Sequence, residues 1–339
     1  MRMTMNKLSN LLPQAEDQIL GSVLPPPIAI GELLIAPEEP ISWLVHDLIP
    51  TGSLVVFSGK SGDYKTFIEL HMAISIASGQ PVFGHFETMQ SSVAIVDEEN
   101  STRLLVSRLN KLNAEVEMPI HFWIREGFKV SNARHMSQLR KFAIETGVKL
   151  ICFDSLIRLH TGDENNAVEM SKVFENFKPL LRSNITVLLI HHHRKESASQ
   201  NRNISQSLRG SSDILASADC HLMVERNKEE AKVKITQNKL RVQEEMKPFE
   251  VKVISLEDKV LFEYVGEISG IEAKRELAKP LILAAVENGE KSQKELREIL
   301  KGQVGGNAVM AAIRELVEDG QIAEITGAKN RKSYVSLEQ

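Results

Sequence analysis

The chain has 339 residues but only two cysteines, no long apolar run, no large surplus of either charge and no internal repeat. Cys152 and Cys220 both sit inside apolar stretches, so they read as buried thiols in a reducing compartment rather than as a disulfide. A helix that crosses a bilayer needs roughly 18 or more consecutive apolar residues, and no stretch reaches that length, so no membrane partner is expected. The opening MRMTMNKLSN leads into polar sequence without the apolar core of a secretory leader, and a cytoplasmic protein is expected. A formal net charge of −4 gives no overall attraction to nucleic acid, so any such binding must come from local basic patches.

What is present is ordinary for a soluble globular protein: 42% hydrophobic and 25% charged residues. The length suits two domains better than one. Residues 1–40 are rich in proline and acidic residues (LPPP at 24–27, APEEP at 36–40) and read as an extended N-terminal arm. From Ile41 the texture becomes that of an α/β fold. GSLVVFSG (52–59), SSVAIVDEE (91–99), VKLICFDSL (148–156) and ITVLLIHHH (185–193) are apolar runs of buried-strand length, with a further strand at HFWIRE (121–126). Helical segments at 65–78, 133–146 and 166–181 separate them, which predicts a parallel sheet with helices on both faces. Four strands at 220–227, 231–239, 248–256 and 259–265 then follow with short turns, which predicts an antiparallel extension of the same sheet. The polar GEISGIEAKREL leads out near residue 270, giving a larger α/β domain at 41–270 and a small C-terminal domain at 271–339.

The chemistry is concentrated at strand ends. GKSGDYKT (59–66) follows a strand and opens a helix, the context of a phosphate-binding P-loop. In that reading Gly59, Lys60, Ser61, Gly62, Asp63, Tyr64, Lys65, Thr66 and Phe67 surround the nucleotide. The backbone N–H groups and the helix N-terminus face the phosphates, Lys65 reaches the β/γ-phosphates of ATP, and the Thr66 hydroxyl holds Mg²⁺. Tyr64 stands where the pattern has glycine. Asp154, closing LICFDS, can support Mg²⁺ from a neighbouring strand. In Asp97-Glu98-Glu99, Glu99 is favoured as the carboxylate that orients and deprotonates water, with Asp97 structural. His191 and His192 end ITVLLI, where the loss of a γ-phosphate can be sensed. Three consecutive histidines point to alternate faces of a strand and do not converge on zinc.

Five segments in order (WLVHDLIPTGSLVVFSGKSGDYKT, GQPVFGHFETMQSSVAIVDEENSTRLLVSRL, LICFDSL, VLLIHHHRK and LRGSSDILASAD) resemble the RepA-like branch of the RecA/DnaB-type ATPases, over roughly residues 41–255. The resemblance implies a hexameric helicase of a plasmid, phage or other mobile element. It implies Lys65 and Thr66 at nucleotide and Mg²⁺, Asp154 as the Mg²⁺-supporting acid, Glu99 as the catalytic acid and His191 as the sensor. It also implies that Lys239 and Arg241 enter a neighbouring subunit's site, where such cations neutralise transition-state charge; read from the residues alone, they are also ordinary solvated charges at a strand end. Arg209 is open between the subunit interface and the nucleotide. In RecA-like motors the loop after the sensor faces the central channel. Here it is HRKESASQNRNISQSLRG (193–210), whose Arg194, Lys195 and Arg202 suit a single-stranded nucleic-acid backbone, DNA being expected. It carries no aromatic residue, so base stacking is not indicated.

In the C-terminal part, a helix at 278–290, a second opened by Ser292 and Glu295 at capping-box spacing, a third at 305–320 and a hairpin around Gly327 predict a winged helix. Arg314 on the third helix and Lys329 and Arg331 on the wing are its candidate nucleic-acid contacts. Residues 271–339 hold 11 Lys/Arg and 11 Asp/Glu, so duplex DNA and a protein partner both remain open. The competing expectation to a helicase is a nucleotide-switched DNA-binding or regulatory ATPase that does not unwind.

Overall fold

The computed structural model describes residues 26–37, 40–164, 166–192, 212–227, 229–268, 270–287, 289–326 and 332–337. The chain divides into two units at Pro40/Ile41. The first unit is not wholly extended as expected: α1 spans Ile30–Ile35, with Glu32 and Leu33 donating to the carbonyl of Ala29. None of its residues is buried. Pro26 and Pro27 disfavour helical angles in the residues before them, and the helix forms in IGELLI, after them.

In the second unit the elements run β1 (Trp43–Val45), β2 (Ile49–Pro50), β3 (Leu54–Gly59), α2 (Lys65–Ser78), β4 (Ser92–Asp97), α3 (Thr102–Lys111), β5 (Ile120–Ile124), α4 (Ala133–Thr146) and β6 (Val148–Asp154). They continue with α5 (Leu156–Leu159), α6 (Ala167–Glu175), α7 (Lys178–Arg182), β7 (Thr186–His192), α8 (Ser212–Ser217), β8 (Cys220–Asn227), β9 (Lys232–Leu240), β10 (Phe249–Ser255) and β11 (Val260–Glu267). One nine-stranded sheet has the order β11-β10-β9-β8-β3-β7-β6-β4-β5. The strands from β8 to β5 are parallel, and β9, β10 and β11 continue the sheet as an antiparallel meander.

Successive strand residues point to opposite faces, and the sheet separates two cores accordingly. Val55 and Phe57 of β3, Leu150 and Cys152 of β6, and Leu188 and Ile190 of β7 pack with α2 (Ile68, Met72, Ile76). Their neighbours Val56, Ile151, Phe153, Val187 and Leu189 pack on the other face with α4 and α6 (Met136, Leu139, Phe174). Local signals set the helix ends. Ser101, Asn132 and Asn166 cap α3, α4 and α6 with side-chain oxygens, and Gly79 and Gly147 take the left-handed conformation that ends α2 and α4. No helix among the described residues is long and apolar enough to cross a membrane.

The remaining elements are α9 (Gly270–Glu287), β12 (Lys291–Ser292), α10 (Gln293–Ile299), α11 (Gly306–Glu318), β13 (Ile322–Thr326) and β14 (Lys332–Ser336). The strands form a sheet in the order β12-β14-β13, and Ala278, Ile282, Leu296, Val309, Ile313, Leu316 and Tyr334 form a core of their own. The expectation of a polar connection ending near 278 is corrected, because α9 begins at Gly270. Pro280 lies inside α9, where it forfeits one backbone hydrogen bond. At Ser292 the hydroxyl accepts from the N–H of Glu295, whose carboxylate accepts from the N–H of Ser292.

Phe153 is fully buried beneath the end of β6, its ring 5.9 Å from Phe128 and 5.3 Å from Phe177. Phe153→Ala should lower the unfolding free energy by about 3–5 kcal/mol, the range for emptying an aromatic site in a core. Urea titration followed by circular dichroism checks this; a loss below about 1 kcal/mol would mean that this face is not tightly packed.

Candidate active site

Because β3, β7, β6 and β4 are parallel, their C-terminal ends lie along one edge of the sheet, and the loops leaving them carry the polar residues. Pairing sets the register: Asp97 of β4 is opposite Asp154 of β6, and Gly59 of β3 is opposite His192 of β7. Gly59 has a steric reason to be glycine, since a Cβ there would lie 2.6 Å from the carbonyl oxygen of Val224 on β8. Gly62 has a positive φ of 91°. The loop delivers the chain into α2, whose 14 residues present an N-terminal partial positive charge to the same edge.

Lys65 is the first residue of α2 and is 4% exposed. Its ammonium donates to the carbonyls of Gly59 (2.9 Å) and Lys60 (2.7 Å). Burial lowers its pKa, against the opposing pull of Asp63, Asp154 and Glu99. Asp63 accepts the N–H of Lys60 at 2.8 Å, which folds the loop upon itself, while Ser61 is exposed. Thr66 donates to Asp154 Oδ2 at 2.8 Å, and Phe67 lies under the Arg108 guanidinium, 5.4 Å from ring centroid to Cζ. Tyr64 has left-handed backbone angles (φ 64°, ψ 14°), a conformation that costs a non-glycine residue roughly 1–2 kcal/mol.

The acids divide the work. Asp97 accepts the N–H groups of Glu99 (2.9 Å) and Asn100 (2.7 Å), so it shapes the turn after β4. Glu98 accepts the N–H groups of Gly127 and Phe128. Glu99 accepts the Ser155 hydroxyl at 2.7 Å, and His192 Nε2 lies 3.4 Å from its Oε2. His192 and then Ser155 hold the Glu99 carboxyl at about 2, well below its ordinary value, although burial works the other way. Asp154 is 1% exposed, and burial, reinforced by the charge of Asp97, raises it to about 6. Its Oδ2 accepts from Thr66 and from Asn100 (3.2 Å), and Arg108 donates to Asn100 at 3.0 Å.

Asp154 Oδ1 is buried with no hydrogen-bond partner among the described residues, and Glu99, Asp154 and His192 offer ligand atoms within 4.8 Å of one another. An unpartnered carboxylate oxygen beside the Thr66 hydroxyl is a donor set that fits a hard divalent cation such as Mg²⁺.

Sequence reasoning missed several of these residues: Asn100, Arg108, Ser155 and, inside α2, Glu69. Glu69 is 1% exposed, and burial first, then the charges of Asp154 and Asp97, push its carboxyl well above the ordinary range. Its position one turn after Lys65 was legible; that it faces the sheet was not, because IELHM reads as an apolar helix face with an exposed acid.

The two histidines separate. His192 is on the α2 face beside Glu99, whereas His191 points to the other face, with Nε2 3.9 Å from Glu164 Oε2. Glu164 also lies 3.7 Å from His160, and His160 and then His191 hold its carboxyl at about 2. Lys239 and Arg241 are away from the carboxylates. Lys239 donates to the carbonyls of Leu215 (2.8 Å) and Ala216 (2.9 Å), and Arg241 donates to Ala216 (2.9 Å) and pairs with Asp219 (3.3 Å). Both therefore cap the C-terminal end of α8. Arg314 is exposed on α11. Arg194, Lys195, Arg202, Arg209, Lys329 and Arg331 lie outside the described residues.

A family model described as AAA domain matches residues 25–198, just over half of the chain. No curated protein matches. Among solved structures, the ATPase domain of G40P is similar with a TM-score of 0.50 at 14% identity, covering 62% of this chain and 84% of that one. A DnaB-like replicative helicase, solved for its interactions with primase, gives 0.49 at 13% identity over 62% of this chain and 57% of that one. The flagellar accessory protein FlaH from Methanocaldococcus jannaschii gives 0.45 at 15% identity over 64% and 91%. At such identities the likeness to the G40P domain concerns the fold alone: a mixed α/β domain around a mainly parallel sheet.

Glu69 gives a pH test. Its folded pKa lies above its ordinary 4.5, so the folded state retains a proton that the unfolded state releases. Its contribution to stability is therefore greatest below about pH 4.5 and declines as pH rises toward the folded value. Glu69→Gln, which stays neutral, should match the wild type near pH 5 and exceed it at pH 8 in urea midpoint. Equal midpoint differences at both pH values would show that Glu69 is ionised in the folded protein.

Proposed function

We propose, for a chain that belongs to the AAA domain family, an ATP-hydrolysing RecA-like motor that assembles as a ring, expected to be a hexamer, and acts on single-stranded nucleic acid as a helicase of a mobile element. The observation that carries the ATPase reading is the meeting of Lys65 and Thr66, at the start of α2, with Asp154 and the Glu99–His192 pair, at three further strand ends.

In this reading ATP lies against the loop of residues 59–66, its phosphates facing the backbone N–H groups and the start of α2. Lys65 holds the β/γ-phosphates and the Thr66 hydroxyl and Asp154 hold Mg²⁺, which supplies charge neutralisation at the phosphates. Glu99, kept ionised by His192 and Ser155, orients the attacking water and accepts its proton. Ser155 and His192 fix the direction of the carboxylate. The sensing role belongs to the end of β7, where His192 touches Glu99 and His191 touches Glu164.

The nucleic-acid part rests on the basic residues Arg194, Lys195 and Arg202, and the ring on Lys239 and Arg241 as cations offered to a neighbouring site. The similarity to a DnaB-like helicase covers 57% of that chain, and an activity of the whole helicase comes to this chain only as part of the proposal. A second reading is favoured by the C-terminal elements: three helices, α9, α10 and α11, with β12 pairing onto the β13–β14 pair, an order that supports the reading of a winged helix. With Arg314 exposed on α11, it suits a nucleotide-switched protein that binds duplex DNA or a protein partner without unwinding.

ATP hydrolysis at a stated salt concentration, with and without single-stranded DNA, tests both. Single strands should stimulate the wild type, and Lys65→Ala should remove hydrolysis and stimulation together. Glu99→Gln should lower turnover by about 10²–10⁴-fold while nucleotide still binds. Bound ATP with turnover indifferent to single strands sinks the helicase reading and leaves the switch.

A further inference from the structure

In a phosphate-binding loop of this kind the residue before the lysine is ordinarily glycine. Tyr64 occupies that position with φ 64° and ψ 14°. Glycine adopts such angles freely, whereas another residue is disfavoured there by roughly tenfold. An interaction outside the loop must offset this, and one side chain does so from β8. The Arg226 guanidinium lies over the Tyr64 ring with Cζ 4.2 Å from the centroid. Its Nη2 donates to the Tyr64 phenol oxygen at 3.1 Å and its Nη1 to the Gly62 carbonyl at 3.4 Å. The ring also meets Phe67 and Phe262 edge-on, at 5.9 and 6.3 Å. Arg226 thus grips the loop on both sides of Asp63, immediately before Lys65. The same strand already walls the loop through Val224, whose carbonyl faces Gly59.

We propose that Arg226 is a positioning residue of this loop: its guanidinium holds Tyr64 in the left-handed conformation that presents the backbone N–H groups and Lys65 to a nucleoside triphosphate. A planar fork that stacks on the ring and donates to two oxygens is required, and lysine does not supply it. The inference rests on the ATP-binding reading above and adds to it a dependence on β8, the strand paired with β3. If the role of Arg226 is to hold Tyr64 left-handed, it becomes dispensable when residue 64 needs no holding.

The test is titration of the full chain with a fluorescent ATP analogue and Mg²⁺ for wild type, Arg226→Ala, Arg226→Lys, Tyr64→Gly and the double variant Tyr64→Gly/Arg226→Ala, with circular dichroism confirming that each is folded. Arg226→Ala should bind about tenfold more weakly than wild type, and Arg226→Lys should not restore the loss. In the Tyr64→Gly background, Arg226→Ala should change affinity by less than about twofold. Equal losses in both backgrounds would mean that Arg226 acts on the nucleotide itself, and would overturn the inference. No loss beside Tyr64, or loss of binding in Tyr64→Gly alone, would overturn it too. A wild type that binds no analogue overturns the ATP-binding reading with it, whereas wild-type binding that survives Arg226→Ala unchanged overturns only the positioning role.

Discussion

Asp154 is a carboxylate almost without access to water, placed opposite Asp97 and close to Glu99 and Glu69. Each of these charges makes the others costlier to bury, and much of the surrounding structure answers that problem. Asp97 is satisfied by the backbone of the turn it shapes. Burial, then the charges of Asp154 and Asp97, raise the Glu69 carboxyl well above its ordinary value. Glu99 reaches outward to His192 and Ser155. Among the described residues Asp154 receives Thr66 and Asn100, both on Oδ2. One buried oxygen of Asp154 is thus left uncompensated, and the Thr66 hydroxyl beside it makes a divalent cation the natural complement.

Convergence of these groups depends on the parallel strands. An antiparallel neighbour would carry its polar terminus to the opposite edge, whereas β3, β7, β6 and β4 all deliver theirs to the same one. The antiparallel strands contribute differently. Lys239 and Arg241 at the end of β9 cap α8 within the single chain. Capping of exposed carbonyls is worth only about 0.3–1 kcal/mol, so these two cations are held at α8 by weak interactions.

Much of this was legible in the residues themselves. GKSGDYKT between a strand and a helix, the acids closing two apolar runs, and Ser292 with Glu295 are local patterns whose physics acts within a few residues, and α2, α4 and β8 have the bounds their sequences suggest. Long-range consequences were less legible. The first turns of α9 are polar in sequence, while the face that packs, Ala278, Ile282 and Val286, depends on α11 and β14. Glu69 and Asn100 acquire their roles only when β4 and β6 come together over α2. Arg226 is 162 residues from Tyr64 in the chain, and nothing in the intervening sequence announces their contact.

The histidines at the end of β7 show a signal that was present and unused. Side chains alternate along a strand, and Leu188 and Ile190 share the face of Cys152, which is also the face of Asp154. The next residue of that parity is His192, so the strand period alone assigns His192 to the side of Glu99 and His191 to the far side. The distances agree, 3.4 Å for His192 to Glu99 and 3.9 Å for His191 to Glu164. Adjacent on one strand, the two imidazoles address carboxylates on opposite faces of the sheet, one beside the phosphate loop and the other in the segment after α5. A shift of the strand end that altered one contact would alter the other, since one peptide unit joins them. The end of β7 therefore ties the Glu99 side of the sheet to the Glu164 side through a single peptide unit.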